Sequence, residues 1–237
     1  LQFADSGDKT YILQLIKLNG TLTSYINQIP TCLGNACDDL LNYVLKYEKY
    51  DEFKDKAKQA KNEYDKVIQS KKNIVNSINN DIVKVKKSLN EKDYNSVKTR
   101  ISNLNDSYYN QYKQKWLSDL SSIEVSVYKK ACKSYNYKNL LREPDKYKGL
   151  KAYFFGKIVQ KINSKEFRVE VNCKKYYYLS GYYCDDTIYM YYSGNVNLLE
   201  DDMVKIWGIM DGNYTYTSIL WSSITVPKIN AKYVTLQ

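Results

Sequence analysis

The side chains best equipped for chemistry in this sequence are five cysteines and 26 tyrosines, because histidine is absent altogether. Without imidazole there is no Ser-His-Asp or Cys-His triad, no His-ligated zinc and no pH switch near neutrality. An enzyme here would have to work with carboxylate, lysine, tyrosine or thiol groups. The sequence therefore reads as a non-enzymatic protein with no catalytic residue, no metal and no cofactor. Acidic groups at Asp38-Asp39, Asp185-Asp186 and Glu200-Asp201-Asp202 lack the oxygen-ligand spacing of a calcium loop, and read as caps or turns. Phosphate-binding glycine patterns do not occur.

Cys32 and Cys37 bracket the short segment Leu-Gly-Asn-Ala, where a tight loop can bring two Cβ atoms together. Cys173 and Cys184 flank a Tyr- and Gly-rich loop between two strand-like runs, where cross-strand neighbours can be bridged. Two disulfides and a spare Cys132 suit an exported protein; five reduced thiols in a cytosolic one are the alternative. Around the second pair lies a dense set of ligand-binding candidates: Phe167, Arg168, Lys174, Lys175, Tyr176, Tyr177, Tyr178, Tyr182, Tyr183, Tyr189 and Tyr191. Their rings can stack bases or sugars, at about 1–3 kcal/mol per base. The same rings suit a protein partner. Glu166, Glu170, Asp185 and Asp186 dilute any track of positive charge. A net charge of +10, with acids interleaved along the chain, is that of a solvated surface or one facing an anionic envelope.

The elements that must position these residues differ between the two halves. Residues 8–29 place Ile12, Leu15, Ile16, Leu22, Tyr25, Ile26 and Ile29 at helical spacing, with Asn19-Gly20 as a candidate kink and Pro30 as the stop. Asp38 can cap a second helix beginning at Leu40. From Ala57 to Leu89 two positions of a seven-residue repeat carry Tyr64, Lys71, Ile78 and Val85, and Ile68, Val75, Ile82 and Leu89. Such a narrow apolar seam belongs to a coiled coil or a long helical hairpin. Lys71 is its polar intruder. Asn90 interrupts the pattern, Asp93 can cap the next helix, and Tyr94, Val97, Ile101, Leu104 and Tyr108 continue the seam. Two long antiparallel helices with shorter ones alongside are expected, the seam being core, contact surface or a route to oligomers.

Beyond Cys132 the periodicity changes to that of strands, at 150–162, 167–173, 187–192, 203–210, 214–221 and 223–234. Gly156 falls in the first, where a barrel strand would bulge or bend. The run Leu141-Arg142-Glu143-Pro144-Asp145-Lys146-Tyr147-Lys148-Gly149, then Phe154, Gly156, Lys157, Ile158, Val159 and Gln160, resembles the OB-fold domain of small exported proteins and lipoproteins of Gram-positive bacteria. Later pieces agree: Asp186, Ile188, Tyr189 and Tyr191; Leu199 to Asp202 with Val204, Ile206 and Gly208; Tyr214 to Thr217; and Ile224 to Tyr233. Asp201-Asp202 stands where that family usually has a Gly-Asp turn.

The resemblance implies a secreted or cell-surface location, either free or lipid-anchored through removed N-terminal residues, and a binding role without an activity. The expected architecture is α+β: a helical hairpin or bundle over 1–136, then an OB-like antiparallel β-barrel over 137–237. The expected function is non-enzymatic recognition of a protein or cell-envelope partner. The alternative is a single-stranded nucleic-acid-binding protein linked to DNA uptake or transfer. No apolar run approaches the roughly 20 residues of a transmembrane helix.

Overall fold

The seven-residue seam produces the longest element of the chain, helix α3 (Lys54–Ser88), which buries Ala57, Ala60, Lys71, Val75, Ile78, Ile82 and Val85. The computed structural model describes residues 9–176, 181–218 and 221–237, the side chains of 9–12 excepted. It divides into two units, Leu1–Glu124 and Val125–Gln237.

In the first unit, α1 (Lys9–Gln28) continues unbroken through Asn19-Gly20 and ends ahead of the turn holding Pro30. Helix α2 (Ala36–Leu45) begins four residues before Leu40, so Asp38 and Asp39 lie in its first turn and do not cap it. Leu22, Ile26, Ile29, Val44, Phe53 and Ala60 form the core shared by α1, α2 and α3. Leu89 closes α3 in the left-handed conformation (φ 48°), and Asn90, not Asp93, caps α4 (Glu91–Ser102) by accepting from the Asp93 N–H. Arg100 meets Asp81 at 2.8 Å and Asp106 meets Lys71 at 2.8 Å, so the chain runs back along α3. Helix α5 (Asn110–Ser121) then reverses again, with Trp116 donating to Asn79 and Lys86 pairing with Asp119. In place of the expected pair of long helices there is thus one long helix, followed by a short antiparallel helix, α4, and a second short helix, α5, that runs back the other way.

The second unit opens with the helices α6 (Glu124–Ala131), α7 (Tyr137–Arg142) and α8 (Pro144–Tyr147), ahead of its first strand. It begins about a dozen residues ahead of the boundary read from sequence because α6 packs on the sheet, Tyr128 against Tyr233 with ring centroids 5.4 Å apart. The strands are β1 (Lys151–Lys161), β2 (Glu166–Val171), β3 (Lys174–Lys175), β4 (Tyr182–Tyr183), β5 (Asp186–Tyr192), β6 (Met203–Thr217) and β7 (Ser223–Leu236). Five of them close into a barrel in the order β1-β2-β5-β7-β6, while β3 and β4 form a separate hairpin. With that hairpin set aside the order is first, second, third, fifth, fourth, an OB-like arrangement.

The barrel is not wholly antiparallel: β5 and β7 run parallel, Tyr189 opposite Lys228 and Tyr191 opposite Asn230. The reason is arithmetic, since strand directions cannot alternate around a closed ring with an odd number of members. Alternation along each strand fills the interior with Phe154, Ile158, Phe167, Val169, Ile188, Met190, Val204, Ile206, Ile229 and Val234. Gly156 has a different task from the one its position suggests. The β1–β2 register slips between Ile158 and Gln160, so the bulge lies beyond it. A Cβ at Gly156 would instead sit 2.3 Å from the Glu170 carbonyl oxygen, so the glycine lets two backbones approach. The expected fourth and fifth strands are one, β6, with Gly212 (φ +73°) inside it and the register slipping between Met210 and Asn213. Among the described residues no helix is long and apolar enough to cross a membrane.

Candidate functional site

Both local cysteine pairs are disulfides, Cys32–Cys37 and Cys173–Cys184, and Cys132 is a free, half-buried thiol. Burial pushes the Cys132 thiol up to about 11, against a hydrogen bond with the Gly208 backbone. It is no nucleophile at neutral pH.

On the barrel, a strand's alternation decides which candidates face outward. Phe167 faces in and is 1 % exposed, so it belongs to the core and cannot stack a ligand. Its neighbour Arg168 faces out, opposite Tyr189 in the β2–β5 register. Past the closed part of the barrel, β6 and β7 continue as a two-stranded arm, pairing from Asn213 with Pro227 to Thr217 with Ser223. The arm brings two tyrosines over the outer face of β2 and β5. Tyr214 stacks on Tyr189 with centroids 3.9 Å apart and planes 24° apart, and Tyr216 follows 6.3 Å beyond Tyr214. The Arg168 guanidinium carbon lies 3.5 Å from the Tyr216 ring centroid, and its Nε is buried without a hydrogen-bond partner among the described residues.

This ladder of three rings and one guanidinium has an acidic neighbour. Glu166 binds the Tyr189 hydroxyl and the Asn163 amide, which together hold its carboxyl below the usual range. Burial, then the Glu166 bond, pushes the Tyr189 phenol far above its ordinary value, so it stays a neutral donor. Glu166 is thereby occupied, and Arg168 makes no carboxylate pair among the described residues.

The remaining candidates fall in two other places. Lys174 and Lys175 on β3 face Tyr183 and Tyr182 on β4 across an exposed hairpin pinned by Cys173–Cys184. Tyr176 packs beside Tyr183, and Tyr182 meets Phe155 edge-on at 5.0 Å. Lys174 is 3.9 Å from Asp185. Tyr177 and Tyr178 lie outside the described residues. Tyr191, two residues past Tyr189 and on the same face, opens onto a shallow groove of about 600 Å³. Tyr128, Ile209, Asn230 and Lys232 also line it. There Lys151 and Lys232 lie 4.9 and 4.6 Å from the Tyr128 ring, and Lys129 lies 4.0 Å from Trp207.

No protein-family model matches the chain, and no curated protein sequence matches it. Solved structures match part of the fold. A small single-stranded DNA-binding protein from Streptomyces coelicolor aligns at 13% identity and TM-score 0.28, over 38% of this chain and 94% of its own. A mitochondrial single-stranded DNA-binding protein from S. cerevisiae aligns at 14% and 0.23, over 37% and 92%. An aspartyl tRNA synthetase from Entamoeba histolytica aligns at 9% and 0.29, over 46% of this chain and 22% of its own. These likenesses concern backbone only and carry nothing about a ligand.

Sequence reasoning missed Tyr214, Tyr216, Tyr128, Trp207 and Lys232 as members of these surfaces. The alternation Tyr214-Thr215-Tyr216-Thr217 put both rings on one face of a strand, but the folding of that arm over β5 has no local signature.

Proposed function

We propose that the protein is a non-catalytic binding protein whose barrel takes a single-stranded nucleic acid across the outer face of β2, β5 and the β6–β7 arm. The observation that carries this reading is Arg168. Its guanidinium lies over Tyr216, 3.5 Å from the ring centroid, its Nε is buried without a partner, and no carboxylate pairs with it among the described residues. A planar cation fixed in this way is preorganised to bind a phosphate through two N–H groups. The Tyr216 ring beside it, and Tyr191 further along the outer face of β5, supply the sequence-tolerant stacking that single strands use. An OB barrel commonly binds across this same face.

Fluorescence anisotropy with a labelled oligothymidylate tests the reading. Binding should weaken linearly in log–log terms as salt rises, by about 0.7 per phosphate contacted. Arg168→Ala should remove roughly one such contact, and Tyr216→Ala should cost about 1–3 kcal/mol. Absence of binding at low salt would dispose of it.

The hairpin favours a second reading. Tyr176, Tyr182 and Tyr183 are exposed on a hairpin whose base is bridged by Cys173–Cys184, and exposed tyrosines are what protein interfaces use. A protein or cell-envelope partner would bind there. In either case we place the protein outside the reducing cytosol, a location supported by its two disulfides. Thiol titration of freshly isolated, unreduced protein in denaturant checks it: one free thiol per chain, Cys132, is expected, and five would contradict it.

A further inference from the structure

The Cys32–Cys37 disulfide sits in surroundings unlike those of a purely structural bridge. Cys37 is 1 % exposed and lies in the first turn of α2, while Cys32 is half-exposed. Cys32, with Leu33, Lys66 and Ser70, lines a cleft of about 560 Å³. Beneath them the ammonium of Lys71 stands 3.6 Å from the Cys37 sulfur. Lys71 is itself only 7 % exposed and is locked in place by Asp106 at 2.8 Å. Asp106 in turn accepts from the backbone N–H groups of Gly34, inside the disulfide loop, and Tyr108. A lysine at this depth needs a fixed use for its charge, and one sulfur of the bridge is within its reach.

A cation beside a sulfur and a helix N-terminus beneath it both stabilise a thiolate. Disulfide exchange runs faster and further when the departing sulfur is a stabilised thiolate. Access and stabilisation therefore fall on opposite sulfurs, the arrangement that lets an incoming thiol attack one and expel the other. We propose that Cys32–Cys37 is a thiol-exchange site whose substrate is a low-molecular-weight thiol. A thiolate RS⁻ attacks the Cys32 Sγ from the cleft, the Cys32–Cys37 bond breaks, and Cys37 leaves as a thiolate facing Lys71. The product is a mixed disulfide R–S–S–Cys32. A second thiolate attacks the R-side sulfur, releasing RSSR and the Cys32 thiolate, which takes up a proton. Two thiols are oxidised and one protein disulfide is reduced. Lys71 acts as a positioning residue, and the site is independent of the nucleic-acid reading.

The test equilibrates the whole protein in glutathione buffers of graded ratio, alkylates the free thiols and reads each cysteine by mass spectrometry. Lys71→Met should make Cys32–Cys37 about tenfold harder to reduce, a fall of about 30 mV. Cys173–Cys184 in the same molecules should not move, and Lys71→Arg should restore the wild-type value. Glutathione trapped in the mixed disulfide should be on Cys32. An unchanged potential in Lys71→Met, or trapping on Cys37, overturns the proposal. Should Lys71→Met fail to fold, the wild-type protein decides. In its reduced form the ¹³Cβ shift of Cys37 should titrate below the ordinary thiol range, near 8.5; titration at or above that range refutes the assignment.

Discussion

At the scale of the residue, the pair Lys71–Asp106 carries more of the helical unit than any surface ion pair. Both side chains are almost fully buried, and Asp106 receives the Lys71 ammonium and two backbone N–H groups. Burial alone would raise its carboxyl, but the Lys71 bond and the Tyr108 and Gly34 amides outweigh it and leave it below the usual value. A carboxyl depressed on folding contributes stability above its unfolded value, about 3.9, and loses it as pH falls through the lower folded value. Urea unfolding followed by far-UV circular dichroism should therefore show the helical unit weakening as pH drops below about 4. Asp106→Ala strands a buried ammonium, and should cost about 3–5 kcal/mol at pH 7 while flattening that acid slope. A loss under about 1 kcal/mol would mean the pair is solvated. Cys132 offers a check at the opposite end of the scale. With its thiol pushed up to about 11, it should react with a disulfide reagent at pH 8 far more slowly than the denatured chain does.

At the scale of the element, close backbone approaches set the barrel. Gly156→Ala would place a methyl 2.3 Å from the Glu170 carbonyl oxygen and 2.8 Å from a Val169 methyl. Strands β1 and β2 must then separate, and a loss of about 1–3 kcal/mol in thermal or chemical unfolding is expected. Gly149→Ala, where a Cβ meets nothing within 4 Å but the backbone is left-handed at φ +82°, should cost about 1 kcal/mol through strain alone. Periodicity located α3 and most strands because burial of one face leaves a repeat in the residues themselves. The same logic marked Lys71 only as an intruder, since its partner Asp106 is 35 positions away. Gly156 could be recognised as special, but whether it bends a strand or admits a neighbour depends on what crosses it. Nothing local distinguishes β7's parallel edge with β5 from its antiparallel edge with β6. The candidate site was half visible for a related reason. Arg168 and Tyr189 stood out by residue type, while Tyr214 and Tyr216 join them only because the arm of β6 and β7 folds across β5.

At the scale of the whole molecule, two units with separate cores share one chain and a net charge of +10. The positive balance favours encounter with a polyanion but does not fix a site, because acids are interleaved throughout. In the function we propose, the ladder from Tyr189 through Tyr214 and Tyr216 to Arg168 fixes it. Salt dependence separates the two contributions, for a diffuse field and a built site fail differently when one residue is removed. The decisive measurement is oligothymidylate affinity against salt for the wild type and for Arg168→Ala, with Lys113→Ala, on the helical unit, as the charge-matched control. The expected result is a salt slope shallower by about 0.7 in Arg168→Ala and unchanged in the control. Equal slopes for both variants, or no binding by the wild type at low salt, would contradict the account.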